Sequence, residues 1–291
     1  MVSLIRKIVI SLILLFVCLT IIIPCLNIVA RSFSSPEKVY LLQSFDVLPK
    51  GFSLINYQVV FSNKRIWTSF LNSSLIMTAG SILSIILTSM TAYVLVQKNL
   101  IGKKVFMIFL VIIMIVDPGL VQEYMVFKQL KILDNLGLMV IYRAINVYYL
   151  IIMMRFLQGI PDSLLESAKI DGASHLNIFF KIVMPLAKIP ILTVGMFYAV
   201  SRWNEFFKSS IFLSSPQNTV LQVLLRQFIV ESDTTAIVKS TDIMANNEIA
   251  KLDFGSIRAT TIVVAVLPIL LLYPFILKYY TSGVMSGSIK E

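Results

Sequence analysis

The sequence predicts an all-α membrane protein with six transmembrane helices and one polar helix–glycine–helix loop on the cytoplasmic side. Hydrophobic residues make up 57% of the 291 residues, only 14% are charged, and the mean hydropathy is +0.87. A soluble domain of this size cannot bury that much apolar surface, so lipid must surround most of the chain. The apolar runs reach about 20 residues, which is enough to cross a hydrocarbon core of roughly 30 Å as helices.

Six apolar runs are predicted to be transmembrane helices, because they lack the alternation of a membrane β-barrel. The predicted spans are Ile8–Val29, Leu71–Val96, Phe106–Leu120, Leu138–Met154, Ile189–Phe207 and Ala259–Leu277. The first run is too long for a signal peptide and is expected to stay in the membrane. The chain is thus divided into a helix at residues 1–30, an outer segment at 31–69 and a core at 70–291. An outer loop is predicted within the core at about 208–256.

Charge predicts that both termini face the cytoplasm. The loop from Lys98 to Lys104 carries three basic residues and no acid, and short loops of this kind stay on the inner side. Raw Lys and Arg counts over all segments do not favour this orientation, but long outer loops weigh little in the rule. The formal net charge of +10 is interpreted as topology-setting charge, because no aromatic–basic platform or zinc spacing indicates a nucleic-acid partner.

The sequence carries no pattern of catalysis or metal binding. The single histidine, His175, and the two cysteines, Cys18 and Cys25, are interpreted as packing residues. No GxxxxGK[ST] phosphate-binding loop is present. We therefore expect a protein that is not an enzyme and has no metal or cofactor of its own.

The polar segment at residues 161–185, called here the 161–185 loop, predicts a short helix at its start. Pro161 ends the preceding segment of the chain, and Ser163-x-x-Glu166 fits a capping box. In a capping box the hydroxyl accepts a backbone N–H while the carboxylate reaches back to the cap. A helix is therefore predicted to begin near Leu164.

The second half of the loop predicts a corner and another helix. Gly172 follows Asp171 at the point where a helix needs a left-handed terminating residue, which glycine supplies at least cost. Ser174 is predicted to cap a second short helix that runs to Val183, and Pro185 to open the next span. Two short helices that meet at a fixed corner form a compact body that can transmit force.

The same loop resembles the EAA loop of ABC importer permeases, the cytoplasmic element through which an ATPase subunit moves a membrane channel. It fits the pattern E-[AS]-A-x3-G-x9-I-x-[LM]-P without a gap. The resemblance implies that this loop sits in a cleft on the ATPase subunit. The residues that it implicates in ATPase coupling are Glu166, Ser167, Ala168, Asp171, Gly172, Ile182 and Pro185.

The chain from Asn72 to Glu291 resembles the sugar-importer permeases of the maltose-transporter type, and its end resembles the lipoprotein-linked polysaccharide subgroup. The resemblance implies a bacterial plasma-membrane importer of a sugar or oligosaccharide. It also implies a second homologous permease, two ATPase subunits that bind ATP and Mg, and an external binding protein. The motifs that carry it are Asn72-Ser73, Ala92-Tyr93, Ile170-Asp171-Gly172-Ala173, Trp203-Asn204-x-Phe206-Phe207, Leu267-Pro268 and Tyr273-Pro274.

Polar and aromatic residues in spans three to five are candidates for the path of the substrate. An ionisable residue within a span is by default a functional hypothesis. The alternative is that such residues anchor the span ends at the membrane interface, and Asp117 and Arg143 have the further alternative of pairing with each other. The candidates are Asp117, Gln122, Glu123, Tyr124, Arg143, Asn146, Tyr148, Trp203, Asn204 and Glu205.

Two other kinds of transporter compete with this interpretation. An ABC permease for a non-sugar solute would carry the same loop, because specificity is set largely by the binding protein. An ion-coupled secondary transporter would show repeated halves with broken helices. No internal repeat is found in the sequence, and that class leaves the EAA pattern unexplained.

Overall fold

The computed structural model of the chain describes residues 2–231 and 253–288, and these ranges are helical with no extended sheet. Residues 232–252, the second half of the predicted 208–256 loop, lie outside the described residues. The helices are α1 (Val2–Ser32), α2 (Ile55–Ser62), α3 (Lys64–Val96), α4 (Lys103–Ile115), α5 (Leu120–Gln129), α6 (Leu136–Ile141), α7 (Val147–Leu157), α8 (Asp162–Ile170), α9 (His175–Leu186), α10 (Lys188–Trp203), α11 (Phe207–Phe212), α12 (Leu221–Ile229) and α13 (Phe254–Ser288).

Several of these helices are candidates to cross a membrane. Among the described residues, three helical stretches are long and apolar enough alone: Ile5–Ser32, Lys64–Val96 and Phe254–Leu271. The count rises to five if each of two bent pairs forms one span. These pairs are α4 with α5, bent by 110°, and α9 with α10, bent by 83°. The apolar helix α7 is shorter than the other candidates.

The prediction of the third span as one continuous helix is wrong, and the reason is the sequence Asp117-Pro118-Gly119. Helix α4 ends before it and α5 begins after it. Pro118 has no backbone N–H and disfavours helical geometry in the preceding residue. Gly119 takes φ +85°, and its N–H donates to Asp117 Oδ1 at 3.0 Å. The carboxylate therefore closes a turn where the helix would have continued.

The predicted fourth span is also broken, between α6 and α7. Arg143 takes φ +46°, a left-handed conformation that a right-handed helix cannot contain. Asn146 then caps α7, and its Oδ1 accepts from the N–H groups of Tyr148 at 2.9 Å and Tyr149 at 3.3 Å. Hydrophobicity alone gave no sign of this break, because the residues on either side of it are apolar.

The second predicted span ends at Val96 as expected but begins earlier than predicted. Helix α3 starts at Lys64 instead of Leu71. The reason is Asn63, whose Oδ1 accepts from the backbone N–H of Arg65 at 2.7 Å and so caps a polar first turn.

The last two predicted spans differ from the structure in length. Helix α10 ends at Trp203, before the predicted end at Phe207, and a short turn leads into α11. Helix α13 begins earlier than predicted because Asp253 caps it. Asp253 Oδ2 accepts from the backbone N–H of Ser256 at 2.8 Å and from its hydroxyl at 2.9 Å.

The chain forms two compact units, of which the first consists of Met1–Thr68 and Val223–Pro268. An ion pair of 3.1 Å joins Arg31 to Asp253 within it. Asn56 is fully buried and donates to two backbone carbonyls, each at 3.1 Å. The apolar core of this unit is formed by Val60, Ile66, Leu224, Phe228, Ile257 and Val264.

The second unit consists of Ser69–Gln222 and Ile269–Glu291. Glycine allows α3 and α10 to approach closely, because a Cβ at Gly195 would lie 2.5 Å from Ile85 Cδ1. Small residues are the usual means by which membrane helices pack at short distance. The apolar core of this unit includes Ala92, Tyr93, Leu150, Met153, Ala168, Ile178, Phe179, Val183, Val194 and Tyr198.

Asp134 ties the loop between α5 and α6 to the segment that follows α11. Its carboxylate accepts from the hydroxyl of Ser215 and from the backbone N–H groups of Ser215 at 2.9 Å and Ser214 at 3.0 Å. Asn218 Nδ2 donates to the Asp134 carbonyl at 2.6 Å. The bonds to the carboxylate, led by the one from the Ser215 hydroxyl, lower the pKa of Asp134 from its ordinary 3.8 to about 2.

We predict that Asp134→Ala lowers the free energy of unfolding by roughly 1–2 kcal/mol, because several donors lose an ionised acceptor near solvent. Because the pKa is depressed in the folded state, the stabilisation is complete above the ordinary pKa and is lost as the pH falls towards 2. Thermal unfolding in detergent between pH 2 and pH 6 measures this. Asp134→Asn should lack the acid-dependent loss that Asp134 contributes, and an unchanged pH profile in that variant would contradict the assignment.

Candidate functional site

The first helix of the 161–185 loop, α8, begins earlier than the capping box predicted. Pro161 is its N-cap residue, with extended geometry, and no side chain caps the helix. The capping role of Ser163 is therefore wrong, since Ser163 lies inside the first turn, where its carbonyl accepts from the Ser167 hydroxyl at 2.9 Å. The pre-set φ of proline is sufficient to begin the helix one turn before Glu166.

The predicted glycine corner is confirmed. Gly172 takes φ +78°, its N–H donates to the Lys169 carbonyl, and the Ala173 N–H donates to the Ala168 carbonyl, both at 3.0 Å. This pair of bonds is the Schellman arrangement, which satisfies the last carbonyls of a helix. The predicted cap at Ser174 is also confirmed, since its Oγ accepts from the N–H three residues further on at 3.3 Å.

The second helix of the loop, α9, continues past the predicted end at Val183. Residues Phe179–Val183 form a wider, π-helical turn. Pro185 lies in the last turn of α9, so the prediction that it opens the next span is wrong. Pro185 has no N–H for the Lys181 carbonyl four residues back, which fits a widened turn directly before it. Helix α10 begins at Lys188, after the 83° bend.

The loop presents two different faces. Ala168 is buried against the core of the second unit, and Ile182 packs against the same core. The opposite face carries large apolar side chains in the open, among them Ile170, which is 86% exposed. Other exposed residues of the loop include Leu164, Glu166, Ser167, Asp171, Gly172, Leu176, Phe180 and Pro185.

A cleft of ≈ 550 Å³ separates the end of α3 from α8, and Glu166 lies on its wall. Lys98 bridges the cleft to Asp162 with an Nζ–Oδ2 distance of 2.5 Å. This hydrogen bond raises the pKa of the Lys98 ammonium. Tyr93 Oη lies 3.4 Å from His175 Nδ1, so the predicted packing role of His175 includes a polar contact with α3.

The second candidate site is a cavity of ≈ 190 Å³ at the breaks in the helices of the second unit, called here the polar cavity. Three predicted candidates line it, namely Arg143, Asn146 and Glu205. Sequence reasoning missed the others, although an ionisable residue inside a span, such as Arg202, is a recognised signal. The residues missed are Ile76, Met139, Tyr142, Tyr149, Tyr198, Ser201, Arg202 and Lys208.

An ion-pair cluster, formed by Asp117, Glu123, Arg143 and Lys208, lies beside this cavity. Arg143 Nη2 is 3.2 Å from both Asp117 Oδ2 and Glu123 Oε1, and Lys208 Nζ is 2.5 Å from Glu123 Oε2. Tyr142 also donates its hydroxyl to the Glu123 carboxylate, at 3.0 and 3.1 Å. The predicted alternative that Asp117 pairs with Arg143 is therefore confirmed, and the pairing extends to two further residues.

The other predicted candidates do not line the polar cavity. Trp203 is buried in the core, where its ring packs edge-on against Phe70 at 5.7 Å. Asn146 lines the cavity but uses its side chain to cap α7, which is a structural role. The candidates placed outside the cavity lining are Asp117, Gln122, Glu123, Tyr124, Tyr148, Trp203 and Asn204.

Comparison with known proteins gives the class to which this architecture belongs. Residues 79–285 match the family described as "Binding-protein-dependent transport system inner membrane component". The match covers more than half of the chain, so the protein belongs to this family. It is a permease subunit of an ABC importer and not an enzyme. Membership in the family implies a system that also contains a partner permease, an ATPase and a binding protein.

Individual relatives agree with this assignment over nearly the whole chain. The polygalacturonan/rhamnogalacturonan transport system permease protein YtcP of Bacillus subtilis (strain 168) is 36% identical over 283 residues, covering 95% of each chain. Protein LplC of the same strain is 36% identical over 269 residues, covering 92% of this chain and 89% of LplC.

A solved structure is also similar. A bacterial ABC transporter involved in the import of the acidic polysaccharide alginate contains a chain with a TM-score of 0.87 and 28% identity. The alignment covers 95% of this chain and 96% of that one. The bent and broken helices therefore form the fold of an ABC permease.

We predict that Glu123→Gln strongly destabilises the protein. The Glu123 side chain is only 10% exposed and that of Lys208 16%, so the substitution leaves a largely buried ammonium without a charged partner. A loss of about 3 kcal/mol follows from such an uncompensated charge. The midpoint of thermal unfolding in detergent measures it.

Asp117→Asn is the matched control, because the Asp117 side chain is 64% exposed and asparagine keeps an oxygen for the Gly119 N–H. We expect little change in the unfolding midpoint of this variant, as for other exposed pairs. Equal losses in the two variants would show that the cluster does not depend on burial of Glu123.

Proposed function

We propose that this chain is the permease subunit of an importer for a sugar or oligosaccharide and forms half of the translocation channel. The observation that carries the proposal is the near full-length similarity to YtcP, which is named for polygalacturonan and rhamnogalacturonan transport. A further relative, NgcG of Streptomyces coelicolor (strain ATCC BAA-471 / A3(2) / M145), is named for diacetylchitobiose uptake and is 26% identical over 275 residues. The similar solved transporter imports a polysaccharide.

The 161–185 loop is the coupling loop in this proposal. Its exposed face combines the Glu166 carboxylate with the apolar side chains of Ile170 and Leu176, which are 86% and 60% exposed. Large apolar side chains that surround one charged group are typical of a protein–protein contact. The partner that docks there is the ATPase subunit, which contacts Glu166, Ser167, Asp171 and the Gly172 corner.

The corner supplies the rigidity that coupling requires. Both of its helices are tied to the core of the second unit, α8 through Ala168 and α9 through Ile178 and Phe179. When ATP binding closes the ATPase subunits, the loop moves as one body, and α10, which leaves it after Ala187, moves with it. Hydrolysis then resets the spans from the outward-facing to the inward-facing state. The chain itself does no covalent chemistry, because ATP and Mg bind to the partner ATPase.

The polar cavity is the part of the substrate path that this chain contributes. Tyr142 and Tyr149 offer ring faces there, while Arg143 and Glu205 offer charged groups. Aromatic faces combined with a few convergent polar groups are what a sugar ring needs from a site. Among the residues predicted from sequence, Arg143, Asn146 and Glu205 line this cavity.

We further propose six spans with both termini in the cytoplasm. Three spans are the single helices α1, α3 and α13, and two are the bent pairs α4–α5 and α9–α10. Helix α7, together with α6 across the break, supplies the sixth. The assembly would contain two homologous permeases, two ATPase subunits and one external binding protein in the bacterial plasma membrane.

Purification of the tagged chain from native membranes in mild detergent tests the whole proposal. A second permease, an ATPase and a binding protein should co-purify, and mass spectrometry identifies them. The ligand of the binding protein then gives the cargo, and a non-sugar ligand would replace the sugar proposal with the non-sugar alternative. Recovery of the chain alone, with transport that needs no ATP, would favour a secondary transporter.

We predict that the double variant Glu166→Lys, Gly172→Val loses the ATPase subunits while it still reaches the membrane. The charge is reversed on the docking face, and valine cannot adopt φ +78° without strain of about 1–2 kcal/mol. Western blotting of membranes measures how much of the variant reaches the membrane, and blotting of the purified complex measures how much ATPase subunit is bound to it. Retention of the ATPase at the wild-type ratio would count against the coupling loop.

The matched control is Gly102→Val with Lys104→Glu, at the N-cap and in the first turn of α4. Gly102 also has a positive φ, +76°, and its nearest neighbour would lie 3.9 Å from an added Cβ. The control therefore combines the same kind of backbone strain with a charge reversal. We expect it to retain the ATPase subunits.

A further inference from the structure

The break between α6 and α7 leaves backbone groups that need partners inside a membrane. On one side of the break, the Met139 carbonyl in the last turn of α6 accepts from Arg202 Nη1 at 2.8 Å. The same guanidinium donates through Nη2 to Ser84 Oγ on α3, also at 2.8 Å. Arg202 thus supplies the donor that the interrupted helix lacks and joins three helices.

The other side of the break is held in a complementary way. The backbone N–H of Asn146, at the start of α7, donates to Tyr198 Oη at 2.9 Å. The same hydroxyl is hydrogen-bonded to Thr88 Oγ1 on α3 at 2.8 Å. A donor therefore meets the free carbonyl, and an oxygen meets the free N–H, as the polarity of a broken helix demands.

The contacts of Tyr198 and of Arg202 with α3 have the same spacing along both helices. Tyr198 and Arg202 are four residues apart on α10, and Ser84 and Thr88 are four residues apart on α3, so each pair lies on one helix face. The guanidinium rests directly on Gly80, where an added Cβ would lie 2.6 Å from Arg202 Nη1. We call Tyr198 and Arg202, with these four hydrogen bonds, the polar clamp.

We propose that Tyr198 and Arg202 are the positioning residues through which movement of α10 reaches the cavity wall. The inference rests on the proposed function, because α10 leaves the coupling loop at the 83° bend. In the sequence, Tyr142 and Arg143 lie between Met139 and Asn146, whose backbone groups are held by Arg202 and Tyr198. Both Tyr142 and Arg143 line the polar cavity. A displacement of α10 therefore displaces both ends of the break, and the cavity wall moves with them.

The test uses Tyr198→Phe and Arg202→Met in the complete transporter with its binding protein, reconstituted in proteoliposomes. Phenylalanine keeps the ring contact with Tyr149 but has no hydroxyl, and methionine keeps an unbranched chain without donors. We expect each variant to assemble and hydrolyse ATP, while the sugar transported per ATP falls roughly tenfold, the effect of losing such membrane hydrogen bonds.

Ser84→Ala and Thr88→Val are the matched controls. They remove the α3 partner of each contact but leave the bonds from α10 to Met139 and Asn146 intact. We expect the transport per ATP to stay within about twofold of wild type in these variants. An equal fall in all four variants would overturn the proposal, because it would show only that α3 and α10 must pack. An unchanged ratio in Tyr198→Phe and Arg202→Met would overturn it as well.

Hydrogen exchange separates failure of this inference from failure of the proposed function. In the assembled complex, the Asn146 amide should exchange faster in Tyr198→Phe than in wild type and remain protected in Thr88→Val. Unchanged exchange in Tyr198→Phe overturns the clamp even if the wild-type complex imports sugar with ATP. A wild-type complex that imports no sugar overturns the proposed function, and transmission through the clamp falls with it.

Discussion

A helix that is interrupted leaves backbone N–H and C=O groups without their helical partners, and the need to satisfy these groups organises the second unit of the protein. Each such group that is shielded from water needs a hydrogen-bond partner from the chain. At Gly119 the partner is the Asp117 carboxylate, and at the break after α6 it is a pair of side chains on α10. At Gly172, on the loop outside the apolar core, backbone carbonyls of the helix itself accept. The hydrogen-bond partner is thus of a different kind at each of these three interruptions.

The same need for partners applies to the charged groups beside the polar cavity. Glu123 accepts from three side chains, and the ion-pair cluster holds two acids and two bases. A low-dielectric surrounding admits charges only when they are paired and hydrogen-bonded. The proposed substrate path can therefore have ionisable groups beside it. Because these groups are paired, they carry no net charge that would trap an ion. The interruptions of the helices are the places where such side chains gather, because their backbone neighbours require polar partners as well.

The sequence predicted the helical membrane class, the family and the glycine corner, and it failed at the breaks. Hydropathy and the spacing of Glu166, Gly172 and Pro185 are local properties that can be determined from the sequence alone. The pairing of Asp117 with Arg143 could be foreseen because both are ionisable and lie at span ends. The roles of Tyr198 and Arg202 could not, since they depend on which backbone groups face α10 across the unit. Asn146, a candidate for the substrate path, lines the polar cavity and also caps α7, a role that its position in an apolar run did not predict.

The corner at Gly172 demands a particular handedness and not a particular size. The backbone there has φ +78°, yet nothing lies within 4 Å of the point that a Cβ would occupy. An L-side chain is disfavoured by its own backbone alone, whereas a D-alanine, whose preferred φ is positive, would fit without strain. Among the natural amino acids, asparagine tolerates this region best after glycine. Glycine is therefore required in this motif because the main chain has a positive φ, and not because space is short. The surface above it is open to a docking partner.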